Sequence, residues 1–269
     1  MVKNFDFYLA GLFEGDGHLW IPSSNIKKKA NPRFCITTSE KNKPFLEFLQ
    51  NQLGDYGFIR KKVSEHALVL TISNRIALKN LIVLLNGKLR TPKISKFNDL
   101  IDWINQHDFE SFEKKPIDES SLLENSWLAG FLDADGCFYI RVTEGKKNRV
   151  AIRMTLDQSI CDERGNSYRP AMLQLANTFF SKLYIITKSE NRNYFHISFS
   201  SLAAINLLDD YLKRYQLYTS KYLDYLNWSE TLVLINQQKH YQNLTHIRFL
   251  KSQMNSRRVR FDWSFLPRT

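Results

Sequence analysis

A nine-residue segment occurs twice in this chain, as Leu9-Ala10-Gly11-Leu12-Phe13-Glu14-Gly15-Asp16-Gly17 and as Leu128-Ala129-Gly130-Phe131-Leu132-Asp133-Ala134-Asp135-Gly136. The copies lie 119 residues apart, Asp16 against Asp135, in a chain of 269. A repeat at that spacing makes the chain a tandem of two similar halves. Each copy is an apolar helical run with small residues four apart, Gly11 with Gly15 and Gly130 with Ala134. Small residues at that spacing let two helix backbones approach closely. If the two segments pack against each other, Asp16 and Asp135 arrive side by side at the same end of the pair. Two carboxylates there, each at the negative end of a helix dipole, repel unless a cation lies between them. The pattern therefore predicts a divalent-metal site at a pseudo-twofold axis.

The chain is long enough for two domains, each with its own core. We place the first over residues 1–106, a linker rich in charge and carrying Pro116 over 107–121, and the second over 122–269. The formal net charge of +11 points to a polyanionic partner, because Lys and Arg contacts to phosphate supply most non-specific affinity for nucleic acid. An acidic membrane surface would attract such a chain too, but no run of eighteen apolar residues, signal peptide or lipidation motif accompanies the charge. The three cysteines, Cys35, Cys137 and Cys161, lack metal-ligand spacing and read as thiols in a reducing compartment. The abundance of Asn, Ile, Lys and Phe fits an AT-rich organellar genome.

Along the first half the pattern predicts a hairpin from His18–Ile21 and Arg33–Thr38, a helix over 44–53 stopping at Gly54, and a second hairpin from Phe58–Val63 and Ala67–Ser73. A helix opened by Asn74 follows, then one over 95–106. The second half repeats the order, with strands near 137–144, 149–158, 182–188 and 193–200 and a helix near 169–181. The common unit is αββαββα. In the strand from Tyr194 to Ser200, Phe195, Ile197 and Phe199 face one side, and the polar side with His196 is left as a candidate nucleic-acid face. A second internal match sets Ser95–Trp103 against Ser220–Trp228 without gaps, aligning Lys96 with Lys221.

Both motif copies resemble the signature of the LAGLIDADG homing endonucleases; the second, LAGFLDADG, departs from the family name at two positions. The resemblance implies an α+β fold of two pseudo-symmetric αββαββα domains packed through the two motif helices, their antiparallel sheets forming a DNA-binding saddle. It implies a sequence-specific double-stranded DNA endonuclease of mobile introns that cuts each strand once, across the minor groove, leaving staggered 3′ overhangs. Asp16 and Asp135 become the metal ligands, with Mg²⁺ as cofactor and Mn²⁺ or Ca²⁺ able to substitute in binding. Glu14 and Asp133 point about 200° away around the helix and by the same resemblance bond to groups at the helix interface. Lys96 and Lys221 take the place of a basic residue beside the metal, and Gln158 that of a polar residue organising water there, with Thr38 opposite it in the first half.

Base reading falls to side chains on the sheets and their loops: Lys27, Lys28, Arg33, Arg60, Lys62, Arg75, Arg141, Arg149, Arg153, Lys188, Arg192 and His196. Arg257, Arg258 and Arg260 read as backbone contacts or a flexible basic end. Two other readings belong to different classes, an RNA maturase that helps its own intron fold and a catalytically silent DNA-binding regulator. The intact Asp16 and Asp135 argue against the last. The first Met and the missing splicing residues point away from an intein, and the missing transit peptide toward synthesis inside a mitochondrion. With both halves in one chain, a monomer on an asymmetric target is expected.

Overall fold

A computed structural model of the chain describes residues 4–23, 30–145, 148–188 and 192–267. Two compact units share them. The first comprises the chain to Ala134 together with Asp162–Asn166, and the second Asp135–Cys161 with Ser167–Phe265. The predicted linker 107–121 and the second motif helix as far as Ala134 thus fall within the first unit.

In the first unit, helix α1 (Phe5–Asp16) runs without a break into strand β1 (Gly17–Trp20). Then come β2 (Arg33–Ser39), α2 (Lys43–Gln52), β3 (Gly57–Lys62), β4 (Ala67–Ile72), α3 (Arg75–Leu85) and α4 (Ile94–Asp108). The strands form one antiparallel sheet in the order β1-β2-β4-β3. Asn74 caps α3 by accepting from the backbone N–H of Ile76 (2.9 Å) and of Ala77 (3.2 Å), two donors that the first turn would otherwise leave unpaired. The turn after α2 closes on Gly54 at φ +79°, a left-handed conformation that a side chain would strain. Phe34, Ile36, Leu70 and Ile72 line one face of the sheet and are buried with Phe45, Leu49, Leu78 and Ile82 of α2 and α3.

Helix α5 (Trp127–Asp135) leads directly into the second unit's β5 (Gly136–Thr143). There follow β6 (Arg149–Ser159), α6 (Arg169–Thr178), β7 (Leu183–Thr187), β8 (Asn193–Phe199), α7 (Leu202–Arg214), α8 (Lys221–Asn236) and α9 (Leu244–Ser252). The sheet order β5-β6-β8-β7 repeats that of the first unit. The register repeats as well, since Gly17 pairs with Ile36 and Gly136 with Leu156. That register sets Thr38 against Gln158, as the internal alignment predicts. The alternation in β8 holds, with Phe195, Ile197 and Phe199 buried and Tyr194, His196 and Ser198 on the open side.

Two boundaries differ. The helix predicted over 169–181 ends at Thr178, because Phe180 adopts φ +50° and breaks the repeat. The helix predicted over 95–106 extends from Ile94 to Asp108, and the rest of 107–121, without helix or strand, is fastened to the first unit. Asp118 N–H donates to Leu89 O (2.8 Å), Asn86 Nδ2 donates to Glu113 O (2.7 Å), and the buried Arg90 pairs with Asp118 at 2.6 Å. Charge and proline make this segment read as a tether, yet Glu110, Lys114 and Asp118 are paired with Lys79, Asp102 and Arg90. Among the described residues, no helix is long and apolar enough to cross a membrane.

Candidate functional site

Within the first unit, α1 and α5 meet backbone to backbone. A Cβ added to Gly11 would lie 1.9 Å from Trp127 O and 2.8 Å from Phe131 N; one added to Gly130 would lie 1.9 Å from Tyr8 O and 2.8 Å from Leu12 N. Each residue of one set lies 119 positions from its counterpart in the other, so the helix pair carries an internal twofold. Ser126 Oγ donates to Asn4 O at 2.6 Å, which brings the two helix starts together and aims both helices the same way. Gly15 and Ala134, the other small residues of the motif, are half-exposed.

The same symmetry governs two of the motif acids. Trp127 Nε1 donates to Glu14 Oε2 at 2.6 Å, and the Tyr8 hydroxyl donates to Asp133 Oδ2 at 2.7 Å. Positions 8 and 14 correspond to 127 and 133, so each helix lends an aromatic donor to the other's acid. Glu14 also accepts from Arg90 N (2.9 Å), Thr91 N (2.5 Å) and Thr91 Oγ1 (2.6 Å). Burial pushes its carboxyl above the ordinary range, an effect these hydrogen bonds oppose. With exposures of 0 % and 2 %, Glu14 and Asp133 act in the helix interface, as the resemblance implies. Losing one donor from such a pair leaves a buried carboxylate oxygen short of a partner. Trp127→Phe and Tyr8→Phe are each expected to lower unfolding free energy by about 1–3 kcal/mol, read from urea melts at unchanged slope.

Asp16 is the last residue of α1 and Asp135 the last of α5, and both are half-exposed. Beside Asp16 the first unit places Lys93, whose Nζ donates to Phe13 O (3.1 Å), Gly15 O (2.9 Å) and Gly17 O (2.8 Å). These carbonyls end the helix, so the ammonium sits where the dipole is most negative. Lys96, one turn further along α4, is half-buried, and no hydrogen bond or ion pair joins its ammonium to another described residue.

The gapless match between the halves is displaced by three positions here. Lys93 N–H lies 3.4 Å from Thr91 Oγ1 and Lys221 N–H 3.2 Å from Thr219 Oγ1, and buried Phe97, Leu100 and Ile104 of α4 correspond to buried Tyr225, Trp228 and Leu232 of α8. The structural counterpart of Lys221 is therefore Lys93, and that of Lys96 is Asp224. A Thr-x-Lys spacing shared by Thr91-Pro92-Lys93 and Thr219-Ser220-Lys221 is the sequence signal for this register, while identities at Ser, Asp and Trp favour the gapless one.

In the second unit Gln158 Nε2 donates to Asp135 Oδ2 at 3.2 Å, and its Oε1 accepts from Ser159 N at 2.8 Å. Thr38, at the same register in the first unit, accepts from Asn42 Nδ2 at 2.7 Å instead. Among the described residues, no three His, Cys, Asp or Glu side chains gather as a metal cage. The motif carboxylates that reach solvent at the helix ends are those of Asp16 and of Asp135.

The predicted base-reading residues divide into those on a sheet face and those committed elsewhere. Arg33 lies over Trp20 (5.0 Å) and Arg153 over Tyr139 (5.1 Å), while Arg60, Arg141 and Arg149 are exposed on strands of the two sheets. Lys62 pairs with Glu65 at 2.6 Å. Arg75 is tied into the helical layer, to Asp108 (2.7 Å), Asn31 (3.1 Å) and the Trp103 ring (5.1 Å). Lys27 and Lys28 lie outside the described residues, and Arg192 is exposed at the start of the β8 arm. Of the tail arginines, Arg258 is half-buried and paired with the buried Asp224 (Nε to Oδ1, 3.1 Å), so it is fastened to its unit rather than a free basic end; Arg257 and Arg260 are exposed.

Lys188 and His196 belong to one network, in which Asp157 accepts from Lys188 Nζ (2.9 Å) and His196 Nδ1 (2.5 Å). Burial alone would raise the Asp157 carboxyl, but these two partners outweigh it and hold it below the usual range. A carboxylate depressed in the folded state stabilises above its unfolded value near 3.8 and loses that stabilisation as pH falls through the folded value. Asp157→Asn should therefore lower stability at neutral pH and flatten the acid limb below about pH 4, so that its profile meets that of the parent chain at the acid end.

The family model described as LAGLIDADG endonuclease matches residues 9–104 and again 128–232. The chain is 29% identical to a cox1 intron-2 protein of Schizosaccharomyces pombe over 88% of its own length and 68% of that protein. It is 27% identical to the intron-encoded DNA endonuclease aI3 of Saccharomyces cerevisiae, over 97% of its own length and 72% of the relative. The fold matches that of the I-SmaMI LAGLIDADG homing endonuclease bound to cleaved DNA, with a TM-score of 0.74 at 18% identity over 94% of this chain and 98% of that one. Repeated motif, repeated sheet and a family match over both halves agree: the chain belongs to the LAGLIDADG endonuclease family.

Proposed function

We propose that this chain is a site-specific double-stranded DNA endonuclease encoded by a mobile intron, hydrolysing one phosphodiester in each strand with a divalent cation. One observation carries the reading. Of the four motif acids, Glu14 and Asp133 are sealed in the helix interface, and Asp16 and Asp135 stand half-exposed at the helix ends, each leading into the first strand of a four-stranded sheet. An oxygen-only, carboxylate-poor donor set suits Mg²⁺, which prefers oxygen and keeps several of its own waters. Asp16 and Asp135 would hold the ion, which when bound supplies an activated water and neutralises charge at the scissile phosphate.

The protein's own groups prepare that chemistry. Gln158 fixes the carboxylate of Asp135 through its Nε2 donor. Lys93 brings a positive charge to the end of α1 and Lys221 one to the start of α8, and the charge of each favours a phosphate group nearby. The open sheet faces, with Arg33, Arg60, Arg141, Arg149 and Arg153, supply hydrogen-bond donors of the kind that read guanine edges in a major groove. The two halves in one chain support action as a monomer on an asymmetric site, and the cox1 intron relative supports a mitochondrial setting.

The test is cleavage of a randomised double-stranded DNA library by the purified chain, with Mg²⁺ and with EDTA. Cutting at one long asymmetric site with 3′ overhangs, lost in EDTA and restored by Mg²⁺, is the expected result. Splicing help to its host intron without any DNA cut would overturn the reading in favour of a maturase.

A further inference from the structure

Residues 254–265 follow α9 and contain only the single helical turn Asn255–Arg257, yet the second unit fastens them at both ends. Asn255, at φ +55°, donates its backbone N–H to Asp224 Oδ2 (3.1 Å), and Arg258 Nε donates to Asp224 Oδ1 (3.1 Å). The Asn255 side chain turns to the edge strand β5, its Nδ2 donating to Phe138 O (3.0 Å) and its Oδ1 accepting from Cys137 Sγ (3.4 Å). At the far end the Phe265 ring packs on Tyr222 with centroids 4.5 Å apart, and Phe265 O accepts from Gln216 Nε2 (3.3 Å).

Both anchors reach the two stretches that carry the second unit's candidate chemistry. Tyr222 and Asp224 lie on the first turn of α8, which Lys221 opens, while Cys137 and Phe138 follow directly on Asp135 and Gly136. Lys221 opens this turn, and Asp224 on the same turn accepts from Arg258.

We propose that residues 254–265 form a positioning strap that holds the first turn of α8, and with it Lys221, in fixed register with the start of β5 and Asp135. The proposal rests on the endonuclease reading for its kinetic consequence but not for its structural one. Asn255 and Phe265 are positioning residues: Asn255 joins β5 to Asp224, and Phe265 clamps Tyr222.

The experiment compares Asn255→Ala, Phe265→Ala and Phe265→Tyr in the full chain by two measurements. The first is hydrogen exchange of the amides in 217–224 and 136–140, which needs no activity. The strap predicts at least about tenfold faster exchange there in both alanine variants, with β7 and α6 unchanged and Phe265→Tyr restored. Unchanged exchange, or acceleration spread evenly over the unit, overturns it even if the chain cuts no DNA. The second is the single-turnover cleavage rate at saturating protein, beside DNA affinity in Ca²⁺. A rate loss of about tenfold at unchanged affinity, absent when the same substitutions are made on Lys221→Met, is expected. A matching loss of affinity would make the strap a DNA contact, and full additivity with Lys221→Met would place its effect elsewhere; either result overturns the proposal.

Discussion

Asp16→Asn and Asp135→Asn should each abolish DNA cleavage while leaving the fold and the DNA affinity in place. Asparagine keeps the shape of the side chain and removes the charge that a hard divalent cation requires, so the loss falls on the ion and the activated water rather than on packing. We expect at least about a thousandfold lower single-turnover rate for either variant, about 4 kcal/mol in the barrier. Because both residues are half-exposed, melting temperature should shift little or rise, as the C-terminal end of each helix loses a like charge. Cleavage time courses with Mg²⁺, run beside binding in Ca²⁺, check it. Retained cutting in either variant would remove that residue from the set of ligands. Glu14→Gln gives the opposite signature, because its carboxylate receives five hydrogen bonds inside the protein. It should lose stability first and activity only as a consequence.

Gly11→Ala and Gly130→Ala are expected to be the most destabilising single-methyl changes in the chain. The added carbon would meet a backbone carbonyl at 1.9 Å, and a carbonyl on a facing helix cannot swing aside as a side chain can. The helix pair would have to separate along its length, which loosens the donors that Tyr8 and Trp127 bring to Asp133 and Glu14. Alanine gains about 1 kcal/mol in helix propensity, but overpacking costs typically 1–3 kcal/mol and more where backbone must move. A net loss of about 3 kcal/mol or more, on the order of 10 °C in melting temperature, is the expected outcome. Gly145→Ala serves as the control, since nothing lies within 4 Å of a carbon added there, and should stay within about 0.5 kcal/mol. Equal melting of Gly11→Ala and Gly145→Ala would refute the close helix contact.

Much of the site is legible before folding because it is written locally. The Asp that ends each motif helix, the capping Asn74, the turn glycine at 54 and the alternation of Phe195, Ile197 and Phe199 each depend on residues within one or two turns. The equivalence of Thr38 and Gln158 follows from strand pairing, since each lies two residues beyond the cross-strand partner of a motif glycine, Ile36 facing Gly17 and Leu156 facing Gly136. The role of Lys93 is harder to read, because its three carbonyl partners stand 76 to 80 residues away in sequence, at the end of α1 and the start of β1, and only the short Thr-x-Lys spacing marks it.

The sequence by itself determined the doubling, the strand-and-helix order of each half and the pair of helix-ending aspartates, all of which rest on periodicity and repetition. Tertiary structure alone decided which lysine meets the end of α1, which acids are sealed by aromatic donors, that 107–121 is fastened in the first unit, and that Arg258 is an internal ion pair. The physical reason is common to these cases: a charged or polar side chain looks alike in sequence whether water or a distant buried partner satisfies it, and only packing shows which.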